Sequence, residues 1–311
     1  MTEQKMKETK PVGGQAVIEG VMMRSSERIS TAVRKKDGNI IVRNQDYISL
    51  TRRYRLLGWP LLRGIVIFIE TLTIGIMTLN FSADVALQEE GKKHPSKKAK
   101  SNAFLLGGTV VVALGLGLLV FFFTPLLMVS LLKAKTGALP FNLTVGLIRI
   151  IFFIAYVWLI SHFRELRRVF EYHGAEHKSI FAYEAGEKLN EETVSKYSTK
   201  HPRCGTSFLF IVTILAIFVF AFGDALFAHL YGHHPNLPHR LIYHLLLIPL
   251  IAGVSYELLR LSGKRRGFLV RLLSTPGLWL QRITTKEPSP EQLKVAIVAL
   301  KESLFIPTVD D

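Results

Sequence analysis

Four stretches of this chain are too long and too apolar to be explained by a water-soluble core: residues 103–132, 141–160, 207–230 and 241–259. Each has about the 20 residues a helix needs to cross a ~30 Å hydrocarbon layer. Inside a bilayer every backbone N–H and C=O must be satisfied within the protein, and a helix does this locally. Few charges interrupt these stretches: Arg149 in the second, Asp224 near the end of the third and Glu257 near the end of the fourth. Pro125 predicts a kink in the first. The expected fold is an α-helical multi-pass membrane protein with about four transmembrane helices.

Charge then sets an orientation. Lys92, Lys93, Lys97, Lys98 and Lys100 precede the first stretch, and only Lys133 and Lys135 follow it. The connection 161–206 carries eight Lys or Arg residues, and the next short connection carries Arg240 alone. The tail from Arg260 is basic again. The positive-inside rule therefore places both termini and the 161–206 connection in the cytoplasm, with the protein in the plasma membrane, the inner membrane of a bacterium. The net charge of +15 is largely this asymmetry. It suits a bilayer with anionic headgroups as a partner, and the absence of an arrayed aromatic–basic pattern argues against nucleic acid. The polar N-terminus shows no signal-peptide pattern. A single cysteine excludes an internal disulfide.

Outside the spans, residues 1–55 are expected to form a small β-containing cytoplasmic region. Two β-rich runs, 31–34 and 40–43, flank the turn pair Asp37-Gly38. In residues 56–84, Arg63, Glu70, Thr73, Asn80 and Asp84 recur at helical intervals on an otherwise apolar background. That stripe predicts an amphipathic or re-entrant helix at the cytoplasmic interface, with a fifth span as the alternative. The tail 260–311 is expected to carry one amphipathic helix, over residues 289–304, after the break at Pro288 and Pro290.

The chemistry concentrates in the 161–206 connection. His173 and His177 lie four residues apart, so on a helix their imidazoles share a face and could share one metal ion. With Glu176 they form H-x-x-E-H, the inverse of the zinc-protease motif. Two histidines do not complete a site. The third ligand is expected from Cys204, in the segment His201-Pro202-Arg203-Cys204, because thiolate and imidazole together suit zinc. His201 is the next choice, ahead of Glu19 and Glu257. Glu184 lies about 10.5 Å further along the helix than His177 and is out of reach. Glu176 is the candidate general base, with pairing to Lys178 or Arg168 as the plain structural reading. A second histidine group, His229, His233, His234 and His239, lies in the loop on the opposite side and is read as incidental.

The strings GGQAVIEGVMMR, PLLRG, YHGAEHKSIFAYEAGE, HPRCGTSF and PGLWLQRITTKEP, in that order from about Pro11 to Leu304, resemble the YqhQ-like family of bacterial membrane proteins. That resemblance implies a metal-dependent enzyme with His173, Glu176, His177, His201 and Cys204 as its site residues. It brings neither substrate nor reaction.

The leading expectation is a zinc-dependent membrane hydrolase acting on a peptide or lipid at the cytoplasmic interface. The alternative is a non-catalytic scaffold or regulator whose metal is structural, closed by four ligands from His173, His177, His201 and Cys204. A transporter using Glu70, Arg149, Asp224 and Glu257 as intramembrane charges ranks last.

Overall fold

The computed structural model describes residues 10–89, 99–132, 137–202, 204–264 and 268–306. It opens with four antiparallel strands in sequence order: β1 (Gly13–Val17), β2 (Gly20–Arg24), β3 (Arg28–Arg34) and β4 (Ile40–Asp46). The predicted turn at Asp37-Gly38 joins β3 to β4. Gly38 takes the left-handed conformation (φ 89°) that costs glycine nothing, and the Asp37 carboxylate accepts the Asn39 backbone N–H at 2.9 Å. Gly20 lets β2 lie close on β3, since a β-carbon there would sit 2.2 Å from the Ala32 carbonyl oxygen.

Helices follow: α1 (Leu50–Arg53), α2 (Leu62–Glu89), α3 (Ala99–Leu118), α4 (Thr124–Leu131), α5 (Ala138–Ile160), α6 (Arg164–Glu184), α7 (Glu191–Ser195), α8 (Gly205–Tyr231), α9 (Leu237–Lys264), α10 (Phe268–Thr284) and α11 (Pro290–Ser303). Five helical segments are long and apolar enough to cross a membrane: Leu62–Gln88, Val111–Leu131, Ala138–Ile160, Ile211–Tyr231 and Leu237–Arg260. Where about four were expected, five meet the requirement of length and apolarity. The additional one is α2, in which the polar stripe occupies so little of the circumference that mean hydropathy still reaches 1.8.

Other expectations shift in detail. The predicted kink at Pro125 takes the form of a π-helical turn, Leu119–Phe123, between α3 and α4. The wider turn makes room where the proline ring would meet the preceding carbonyl. Pro249 lies within α9. The tail carries two helices rather than one. α10 is amphipathic, with well-separated apolar and polar faces, and it packs on α8; the pair Pro276-Gly277 in its middle reads locally as a break and hides the helix.

The sheet does not stand alone. Val21, Met23 and Ala32 share one buried cluster with Tyr172, Ala175, Ile180 and Ala182 of α6, Val194 of α7, and Leu293, Ala296 and Leu300 of α11. Strands from the N-terminus, the middle connection and the C-terminal tail thus build a single extramembrane core. Ser289 starts α11 with a capping box: its hydroxyl accepts the Gln292 N–H while the Gln292 side chain accepts the Ser289 N–H at 2.8 Å. A separate cluster, Phe122, Phe220 and Ile251, knits the apolar helices together.

Candidate metal centre

Helix α6 is two-sided. One side sends Tyr172, Ala175 and Ile180 into the extramembrane core, and the other carries His173 and His177 with ring centroids 4.4 Å apart. Facing them is Cys204, the N-cap residue of α8, whose Sγ lies 3.4 Å from His173 Nε2 and is hydrogen-bonded to His177 as well. One ligand-type atom from each of His173, His177 and Cys204 falls within 4.8 Å of the others.

Backbone carbonyls fix how the imidazoles present themselves. His173 Nδ1 lies 2.8 Å from the Thr284 carbonyl oxygen, and His177 Nδ1 lies 2.5 Å from that of Thr199. A carbonyl can only accept, so each Nδ1 carries the hydrogen and each Nε2 keeps its lone pair. This is the orientation that metal-ligating histidines take from their outer partners. Burial also pushes the His177 imidazole below its usual pKa, favouring the neutral form.

Two glycines make the arrangement possible. The segment after α10 crosses α6 at Gly174, where a β-carbon would stand 2.0 Å from the Lys286 carbonyl oxygen. The Lys286 N–H donates to the Phe170 carbonyl at 2.9 Å, which holds the Thr284 carbonyl beside His173. On the sheet side, Gly14 of β1 leaves the room that Glu176 fills; a β-carbon there would stand 2.7 Å from the carboxylate. The Gly14 backbone N–H hydrogen-bonds that carboxylate, yet desolvation dominates and pushes Glu176 up to about 7.

The candidates named from sequence therefore divide. His173, His177 and Cys204 come together. Glu176 is buried next to them on α6, facing β1 and outside the ligand group. It pairs with neither expected cation: Arg168 holds Glu19 at 2.5 Å, and buried Lys178 reaches Glu287 and the Ser195 carbonyl. His201 lies outside the group too. Its ring packs on Phe181 and its Nε2 meets Glu184 at 3.5 Å, so the second-choice ligand is paired with the glutamate set aside as out of reach. The His201 ring centroid is 5.8 Å from that of His177, and its backbone is clamped by Gln281, which accepts the His201 N–H at 2.8 Å and donates to its carbonyl at 3.0 Å. Glu257 is paired with Arg63.

The same clamp shows what sequence reasoning missed. Gln281, Thr284, Thr285 and Lys286 belong to the string PGLWLQRITTKEP, which was noticed without a role for any residue in it. The histidines in the opposite loop form no comparable group among the described residues; His239 Nδ1 meets Asn236 at 2.5 Å and His233 Nδ1 meets the His234 carbonyl at 3.1 Å. Of the four charges named for a path, Glu70, Asp224 and Glu257 are held in local sets, whereas Arg149 donates to the Phe122 carbonyl at 3.3 Å and lies over the Phe122 and Phe220 rings. Asp224 is met by Arg240 (3.0 Å), Asn142 (2.9 Å) and His244 (3.3 Å), and Glu70 accepts from Tyr47, Ser49 and the Leu50 N–H.

No solved structure matches the chain. The protein YqhQ of Bacillus subtilis (strain 168), itself described as uncharacterized, is 33% identical over 312 residues, covering 96% of this chain and 94% of that protein. A family model described as "Protein of unknown function (DUF1385)" matches residues 59–305. With most of its length matched, the chain belongs to the DUF1385 family, alongside YqhQ.

Proposed function

We propose that this protein is a metal-dependent membrane hydrolase, with zinc held by His173, His177 and Cys204. The observation that carries the reading is the convergence of these three side chains with both Nδ1 atoms committed to backbone carbonyls. Two imidazoles and a thiolate match zinc in donor type, and three protein ligands leave the open position of a catalytic rather than a structural site. A bound zinc would supply Lewis acidity at that position. Glu176 is the candidate to move the proton: it is buried beside the ligands on α6, although its carboxylate faces Gly14 of β1, and Glu176→Gln tests that role. The cluster lies between α6, the start of α8 and the 284–287 segment with His177 buried and His173 and Cys204 partly exposed, which leaves access for substrate and for the water that hydrolysis consumes. The position of the site beside the membrane helices fits a peptide or lipid presented at the cytoplasmic surface.

A scaffold role is the second reading, favoured by one observation. The three ligands tie α6, which belongs to the extramembrane core, to the first residue before α8, which enters the apolar bundle. The transporter reading, which uses Glu70, Arg149, Asp224 and Glu257, has less support, since three of the four are matched by nearby charged or hydrogen-bonding partners and Arg149 sits on the Phe122 and Phe220 rings.

The test is elemental analysis of protein purified without chelator, beside His173→Ala, His177→Ala and Cys204→Ser. About one transition-metal ion per chain, lost in all three variants, is expected. Wild-type protein without metal would overturn the reading. Glu176→Gln then separates the two roles: metal kept with function lost in complementation supports the enzyme, and function kept supports the scaffold.

A further inference from the structure

We infer that α2 does not cross the membrane: it lies against the leaflet on the side of the metal centre, with the β-sheet on one face and anionic lipid on the other. The argument begins with parity. The sheet, α6 and α11 share one hydrophobic core, so β4 and α6 must stand on the same side of the bilayer. Three apolar segments lie between them, α2, α3–α4 and α5. An odd number of crossings would separate what the core joins.

The packing identifies the helix that stays. In the second half of α2, Ile74 is buried with Met22 and Ile29, and Val85 is buried with Val17 and Val33. Ser82 accepts the Ile18 N–H at 3.2 Å, and Gly75 lies against the Gln15 side chain. Residues 74–85 are therefore laid along the sheet. Only residues 62–73 remain, about 18 Å of helix at 1.5 Å per residue, against a ~30 Å hydrocarbon core. Glu70 shortens that further, because it is held by Tyr47, Ser49 and Leu50 in the connection just after β4. α4 and α5 pack on each other, and α5 and α9 pack on α8; α2 meets this bundle through its first turns, where Gly64 lies against Gly253 of α9 and Arg63 pairs with Glu257 near the end of α9, while its second half stays on the sheet.

The other face of α2 names its partner. Leu62, Ile69, Leu72, Ile76 and Leu79 form an exposed apolar stripe on the side away from Ile74 and Ser82. Next to it, Arg52, Arg53 and Arg55 are exposed together with Trp59. Arginines beside an interfacial tryptophan and a leucine–isoleucine stripe fit the headgroup–acyl boundary of an anionic leaflet. Gln15 neighbours Gly14, whose N–H holds Glu176, so this lipid-facing helix is one strand away from the candidate centre.

Membrane-impermeant maleimide labelling of the full-length chain tests the topology, with wild type (Cys204 only) as background. Lys10→Cys, Gly91→Cys, Glu191→Cys and His233→Cys are compared in right-side-out and inside-out vesicles. Gly91→Cys is expected to react from the same side as Lys10→Cys and Glu191→Cys, and His233→Cys from the other. Gly91→Cys reacting with His233→Cys would overturn the inference. For the lipid contact, Leu72→Trp and Leu79→Trp are placed in nanodiscs of anionic phospholipid brominated near the headgroup or at the chain end. The added emission is expected to be quenched at both positions, more strongly by the shallow bromine. Emission untouched by either lipid would mean that protein covers the stripe, and the assignment of lipid as partner would fail.

Discussion

Gly174 and Lys286 approach so closely that the carbonyl oxygen of one stands 2.0 Å from where a β-carbon of the other would be. The contact joins the centre of α6 to the segment that follows α10 and sets the Thr284 carbonyl against His173. Gly174→Ala must push that backbone away. The expected result is a stability loss of about 1–3 kcal/mol, typical of overpacking, with a fall in metal content. Thermal unfolding and elemental analysis of the same preparation check it; wild-type values in both would show that the segment can move freely.

Glu176 should leave a signature in the metal-free protein. Its carboxyl ordinarily titrates at 4.5, and burial raises it to about 7 in the folded chain. Between those values the unfolded chain has lost the proton while the folded chain keeps it, so stability falls as pH rises from about 4.5 to about 7 and then levels. The loss is on the order of 3 kcal/mol. Chemical denaturation across that range should show the slope in wild type, and Glu176→Gln should lack this contribution.

His201 and Cys204 stand three residues apart and should behave differently. Cys204→Ser is expected to abolish metal retention. His201→Ala is expected to keep the metal and to lose only the packing on Phe181 and the contact with Glu184. Equal metal loss in both would return His201 to the ligand set. Gln281→Ala should weaken metal affinity without removing a ligand, because Gln281 holds the backbone of the segment that carries Thr199 and Cys204. Outer partners of metal ligands commonly contribute 10–100-fold in affinity. Competition with a chromophoric chelator measures it.

Within the apolar bundle Asp224 is fully buried among Arg240, Asn142 and His244. Asp224→Ala leaves the Arg240 guanidinium without its counter-charge in a dry site, at a cost of about 3–5 kcal/mol. Removing both charges should restore part of that loss. A double-mutant cycle by thermal unfolding in detergent, with Arg240→Ala as the other single variant, would show the coupling. Additive effects would mean that the two charges are independent.

Helix location was legible because long apolar runs leave a chain few choices, and α5, α8 and α9 fall within a few residues of the stretches read from sequence. α10 was not, since Pro276-Gly277 reads as a break in the middle of residues 268–284, although their apolar residues share one face and pack on α8. The H-x-x-E-H spacing sufficed to put His173 and His177 on one face, because 3.6 residues per turn is a local property. Cys204 joins them across a 27-residue separation that sequence could only suggest by donor chemistry. That His201 pairs with Glu184 and has its backbone held by Gln281, eighty residues away, is encoded by no local pattern.

The sequence by itself determined the membrane class, the hairpin at Asp37-Gly38 and the two-histidine face, each governed by interactions within a few residues or by hydropathy summed over about twenty. The tertiary structure decided which third side chain meets the histidines, that Arg168 and Lys178 turn to Glu19 and Glu287 instead of Glu176, and that α2 lies against the sheet. Those outcomes rest on contacts between segments brought together by the core that β2, α6 and α11 share, and hydrophobic burial of that core, being non-directional, is not written in any one of them.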